Sequence, residues 1–136
     1  MTELLDKLNR HVPPYMQLLG VELVSATLDR IEARLVVRDD MGNGGGITHG
    51  GVYMSFGDYL GAIGTVVNLP KGAMTTTMES KTNFFRPAKS GDVITGISAP
   101  VHKGRRTMVW QTRLVDKDGK LLAMITQTQM VIPKDG

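Results

Sequence analysis

The chain contains no cysteine. That excludes a disulfide framework, a thiolate nucleophile and zinc sites built on Cys. Three scattered histidines make a weak metal set, and neither a metal nor a redox cofactor is expected. Aromatic residues are scarce, 5% of the whole, and the basic residues are not interleaved with them. Single-stranded nucleic acid needs stacking platforms beside cations, so no nucleic-acid partner is expected. The opening MTELLDKLNRH has charges every few residues and no apolar h-region; it does not read as a secretory signal, and a cytoplasmic location is expected. The longest apolar stretch, Val52 to Leu69, is broken by Asp58 and diluted by glycine and serine. It reads as a core helix, so no membrane partner is expected. A net charge of +3 permits an anionic ligand without requiring one.

What is present suits one globular domain over 1–136, with an N-terminal helical segment over 1–19: 136 residues, 41% hydrophobic and 21% charged. Thr2 to Arg10 has Leu4, Leu5 and Leu8 on one side, with Thr2 as N-cap. Pro13-Pro14 ends that segment, and Tyr15 to Leu19 forms another turn before Gly20. Val21 to Leu28 and Ile31 to Val37 read as strands joined by a tight turn at Asp29-Arg30. Residues Asp40 to Gly46 form a glycine-rich loop. A helix follows from about Gly50 to Val67, with Val52, Phe56, Tyr59, Ile63 and Val66 or Val67 at helical spacing. Its glycines Gly57, Gly61 and Gly64 each cost roughly 1 kcal/mol against alanine, which close packing against a sheet would explain. Strands are expected over Thr75 to Phe85, Val93 to His102, Arg106 to Asp116 and Leu121 to Ile132. Asp116-Lys117-Asp118-Gly119 is a strong hairpin turn. The order predicts an α+β architecture, an antiparallel sheet curled around one central helix.

The strand from Thr75 is polar on both faces. Simple alternation puts Thr75, Thr77, Glu79, Lys81 and Asn83 on one of them. It reads either as an exposed edge or as a strand running along a dimer interface that also forms the substrate cleft; we adopt the second.

Asp58 is the only charged side chain between Asp40 and Lys71, and a carboxylate inside an apolar helix needs partners or a task. His49-Gly50-Gly51 precedes it, and Asn43 stands six residues before His49. This set, N-x(5)-H-G-G-x(6)-D, resembles the hotdog-fold acyl-CoA thioesterases of the phenylacetic-acid-degradation-like branch, over about Gly20 to Ile132. The resemblance implies a hotdog fold and hydrolysis of acyl-CoA to free acid and coenzyme A. It implies catalytic roles for Asn43, Gly50 and Asp58, assisted by Thr77, with Thr75 or Thr76 as alternatives for the last. Such chemistry needs N–H donors for an oxyanion, here at the helix start, and a carboxylate to attack the carbonyl or activate water. Gly50 and Asp58 lie eight residues apart, about 12 Å along a helix. One short side chain does not span that gap, so a site using both must join two chains. A homodimer or homotetramer is therefore expected, with Asn43 and Gly50 from one copy and Asp58 and Thr77 from another.

His49 and Gly51, and Glu79, Phe84 and Arg86 farther on, are further candidates for substrate contact. The run His102-Lys103-Gly104-Arg105-Arg106-Thr107 looks like the family's coenzyme A segment, where a basic turn meets phosphates. Arg86 and Lys89 would add charge to it. Two rivals stand: a hydratase or dehydratase using His49 and Asp58 as an acid–base pair, and a non-catalytic acyl-CoA binder.

Overall fold

A computed structural model describes residues 2–135. The chain opens with two helices, α1 (Thr2–Arg10) and α2 (Pro14–Leu19). The strands β1 (Glu22–Thr27) and β2 (Arg30–Val36) follow, then one 3-10 turn at Asp39–Met41. The long helix α3 spans Gly50–Val66. Four strands complete the fold: β3 (Met74–Phe84), β4 (Val93–Lys103), β5 (Thr107–Val115) and β6 (Leu121–Ile132). The expected strands and the central helix are all present, with ends shifted by a residue or two. One turn is corrected: Thr27 pairs with Arg30, so Leu28-Asp29 makes the first hairpin loop, and Arg30 joins β2 with its guanidinium on Glu32 at 2.6 Å. The side chain of Thr2, expected as a cap, lies outside the described residues.

All six strands form one antiparallel sheet in the order β1-β2-β4-β5-β6-β3. Helix α3 packs on β2, β3, β4, β5 and β6. It is therefore buried over a wide arc, and Tyr53 and Leu60 join Val52, Phe56 and Tyr59 inside, while Val66 is 44% exposed. Phe56 and Leu60 are both 0% exposed, and such side chains each stabilise the fold by about 1.5–3 kcal/mol relative to exposure. On β5, Trp110, Thr112 and Leu114 form the buried face. The helix glycines do lie against the sheet. A Cβ on Gly57 would meet Ile125, one on Gly61 would meet Gln127, and one on Gly64 would meet Trp110, all closer than real contacts allow. The three cost helix propensity and gain proximity of backbone to sheet. Leu4, Leu5 and Leu8 of α1 pack on the same core. Among the described residues no helix is long and apolar enough to cross a membrane.

β3 holds the second correction. It is an edge strand, and its pairing with β6 slips between Thr77 and Glu79, leaving Met78 as an extra residue. Thr77 opposes Gln129, but Ser80 opposes Gln127 and Phe84 opposes Ala123. Residues directly opposed share a face, so the bulge reverses the alternation beyond it. Thr75 and Thr77, then Ser80, Thr82 and Phe84, face α3. Glu79, Lys81 and Asn83 face away, so Glu79 does not share a face with Thr77.

Candidate active site

The loop before α3 is tied by its own side chains. Asn43 Oδ1 accepts from Gly45 N at 2.8 Å, its backbone N–H reaches the Ile47 carbonyl at 2.8 Å, and Gly42 bridges Thr48. Among the described residues the Asn43 carboxamide nitrogen donates to no partner. His49 is the N-cap of α3, and its Nδ1 accepts from Gly51 N at 2.8 Å. Gly51 is glycine for a local reason: a Cβ there would lie 2.9 Å from that same Nδ1.

A helix start leaves four N–H groups without intrahelical partners. Here His49 N donates to Met41 O, Gly51 N to the His49 ring and Val52 N to His49 O. Among the described residues only the Gly50 amide finds no acceptor. It borders a groove of about 340 Å³ whose lining includes Asn43, Tyr53, Phe84 and Arg86. Phe84 closes over Gly50, where a Cβ would stand 3.0 Å from its ring, and Phe84 stacks on Tyr53 with centroids 6.3 Å apart. The Tyr53 hydroxyl donates to the Arg86 carbonyl at 3.1 Å. Burial first, and the Asp92 carboxylate second, push Tyr53 up to about 12; it stays a neutral structural donor at ordinary pH.

Asp58 lies outside that groove. It sits midway along α3, half-buried, against β3 and β6. Its Oδ1 accepts from Gln127 Nε2 at 3.0 Å and from Thr77 Oγ1 at 3.4 Å. Burial raises its pKa above the ordinary 3.8, and the bonds from Thr77 and Gln127 oppose that rise. Thr77 is thus the threonine that touches the acid; the single Thr75 hydroxyl proton lies instead between Gln129 Oε1 at 2.9 Å and Met130 O at 2.8 Å. Gln127 and Gln129, both 1% exposed, were not among the expected residues. They stand in the buried phase of β6 with Ile125 and Val131, and amides in an apolar rhythm are a signal the sequence does carry.

The basic turn lies at the opposite end of α3, which at 17 residues is about 25 Å long. Gly104 N donates to Thr107 O at 2.9 Å, and a Cβ on Gly104 would collide with His102 Nε2. Lys103 is already engaged, 2.6 Å from Asp29 and 3.4 Å from Asn68 Oδ1. Arg105 and Arg106 are exposed and form no ion pair among the described residues. Arg86 borders the groove at the start of α3, so within one chain it does not add charge to the basic turn. Lys89, three residues beyond Arg86, follows Ala88, whose carbonyl takes Thr48 Oγ1 beside His49, so it too lies near the helix start. One chain therefore brings together Asn43, Gly50, Phe84 and Arg86, and separately Asp58 and Thr77, and separately again His102 to Thr107.

Proteins of this shape include thioesterases. A thioesterase from Haemophilus influenzae superposes with a TM-score of 0.89 at 27% identity, over 96% of this chain and 91% of its own. A 1,4-dihydroxy-2-naphthoyl-CoA hydrolase of Listeria monocytogenes is 24% identical over 106 residues, 78% of this chain and 85% of that one. The PaaI protein of the E. coli phenylacetic acid degradation operon shares the fold at a TM-score of 0.86 and 22% identity, over 96% of this chain and 92% of that one. The sheet wrapped on one helix is thus the hotdog fold. Residues 45–123, which include the HGG turn, Asp58, Thr77 and the basic turn, match the family described as the thioesterase superfamily. The chain belongs to the thioesterase superfamily.

Proposed function

We propose that this thioesterase hydrolyses acyl-CoA thioesters to free acid and coenzyme A, in sites each assembled from two copies of the chain. The carrying observation is the spacing of two groups on one helix. Among the described residues Gly50 offers the single uncommitted N–H of the helix start, and the half-buried Asp58 carboxylate sits about 12 Å further along. Both fit one thioester only if a second α3 runs antiparallel to the first. The thioester oxygen then takes the Gly50 N–H and the positive end of the helix dipole. Asp58 of the other copy removes a proton from water, the water oxygen bonds to the carbonyl carbon, and the C–S bond breaks as Asp58 passes that proton to the leaving thiolate. Direct attack by Asp58 followed by hydrolysis of the anhydride gives the same products. The Asn43 amide donors orient the water. The edge strand β3, with its polar faces and unpaired outer row of backbone groups, is the seam we assign to the dimer. Acyl-CoA as substrate class is supported by the name of the Listeria relative. No cofactor enters this scheme, and a cytoplasmic location belongs to the same proposal.

Complementation tests the shared site. Asn43→Ala and Asp58→Asn homodimers are each expected to be nearly inactive. Unfolding and refolding them together should restore about a quarter of wild-type activity, since half the dimers are mixed and each mixed dimer has one intact site. Failure of mixed dimers, separated by tag, to recover activity overturns the shared arrangement.

The hydratase reading fits His49 poorly. Its Nδ1 is occupied as an acceptor from Gly51 N, so the neutral ring carries its proton on Nε2 and has no basic nitrogen free. The free guanidinium groups of Arg105 and Arg106 are assigned to the coenzyme A phosphates. Arg105→Ala/Arg106→Ala is expected to raise KM for acyl-CoA about tenfold or more and to leave kcat near wild type. For the same acyl group on N-acetylcysteamine, which lacks phosphates, the variant should match wild type.

A further inference from the structure

β6 spends two buried positions on amides where aliphatic side chains would pack. Gln127 Nε2 is surrounded by acceptors only: Asp58 Oδ1 at 3.0 Å, the Asp58 carbonyl at 3.1 Å and Thr77 Oγ1 at 3.2 Å. That ring of acceptors fixes which end of the amide is nitrogen. The price is Gln127 Oε1, which is buried without a partner against the space left by Gly61. A core does not keep an orphaned carbonyl for stability. Next along the strand, Gln129 Nε2 donates to Thr77 Oγ1 at 2.6 Å, and Gln129 Oε1 takes the Thr75 hydroxyl at 2.9 Å.

The direction of each bond follows by counting. Thr77 Oγ1 faces amide nitrogens that can only donate, Gln129 Nε2 at 2.6 Å and Gln127 Nε2 at 3.2 Å, so its one proton must go elsewhere. The remaining acceptor is Asp58 Oδ1. Oδ1 thus collects donors from Gln127 and Thr77, while Oδ2 accepts none among the described residues. Thr77 therefore commits its proton to the acid.

We propose that Gln127 and Gln129 are positioning residues that direct the local donors onto Oδ1 of Asp58, leaving Oδ2 as the oxygen that meets water or the thioester. This rests on the reading of Asp58 as the reacting acid, and it deepens that reading. Gln127→Met keeps the length and removes the amide. It is expected to lower kcat about tenfold or more with KM unchanged, because one bond to a charged group is lost. The Asp58 carboxyl, followed by carbon NMR, should titrate at higher pH than in wild type, and the acid limb of kcat should move with it. The side chains bonded to the Asp58 carboxylate are neutral, Thr77 from β3 and Gln127 from β6. Melting temperature should stay level or rise, because Oε1 is no longer stranded. Gln129→Met should shift the carboxyl in the same direction by a smaller step. Thr77→Val on the exposed edge should reproduce the Gln127→Met titration, and Thr77→Ser should restore wild-type behaviour.

An Asp58 titration identical in wild type, Gln127→Met and Thr77→Val overturns the proposal, as does equal behaviour of the Ser and Val variants. Should Gln127→Met not fold, the Thr77 pair decides alone. Activity retained by Asp58→Asn would instead sink the catalytic reading, while the NMR titration would still report on the positioning.

Discussion

Asp58→Asn is expected to lower kcat by about 10³-fold, within the range lost when a positioned acid or base is removed. The asparagine keeps the shape and can still accept from Gln127 and Thr77, so the fold should survive, as far-UV circular dichroism would show. In wild type the acid limb of kcat should lie above the ordinary carboxylate range, because burial raises the Asp58 pKa and the reacting form is the carboxylate. Stability carries the opposite sign. A carboxyl whose pKa is higher folded than unfolded binds its proton more tightly in the folded state. That contribution is fully present below the unfolded value near 3.8 and is lost as pH rises through the folded pKa. At neutral pH the ionised Asp58 is therefore a burden, and Asp58→Asn should melt higher than wild type. The gap should close as pH falls through the same window. A variant that is inactive and less stable at neutral pH would mean that Asp58 is chiefly structural.

Gly64→Ala should lower the melting temperature, against the rule that alanine stabilises helices. Propensity alone predicts a gain of roughly 1 kcal/mol. The new Cβ, however, would stand 2.6 Å from Trp110 Cδ2 and Cε3, and Trp110 is 0% exposed. A rigid indole at the centre of β5 does not yield cheaply, and overpacking costs about 1–3 kcal/mol or more. The expected net loss is up to about 2 kcal/mol, or up to about 7 °C for a chain of this length. Gly44→Ala is the control: nothing lies within 4 Å of the added methyl, and the melting temperature should not move. A stabilised Gly64→Ala variant would show that the sheet gives way more readily than its packing implies.

Local chemistry made much of this fold legible. Proline after α1, the hairpin glycine at 119 and the run of β-branched residues place the elements almost to the residue. The cost of an unpaired carboxylate made Asp58 conspicuous, and the asymmetry of His-Gly-Gly marked the helix start. What escaped depends on partners distant in the chain. The bulge at Met78 comes from register against β6, so alternation within β3 put Glu79 beside Thr77. Lys103 meets Asp29 from 74 residues away, and no local pattern announces that. Tyr53 and Leu60 were overlooked because α3 is enclosed on most sides, and a helix so enclosed loses the one-sided stripe that periodicity detects. Gln127 and Gln129 were visible as amides out of character on β6, but their purpose emerges only when Thr77 and Asp58 stand opposite.

The extra residue at Met78 also bears on how the protein behaves when crowded. Until the dimer seam covers it, a straight border of free amides and carbonyls eleven residues long would be a ready template for open-ended stacking with any extended neighbour. The kink breaks that template near its middle, so a stray strand can zip onto only a short run before falling out of step. The same backbone irregularity that turns Phe84 toward the helix thus shortens the run on which an unpaired β3 could template aggregation.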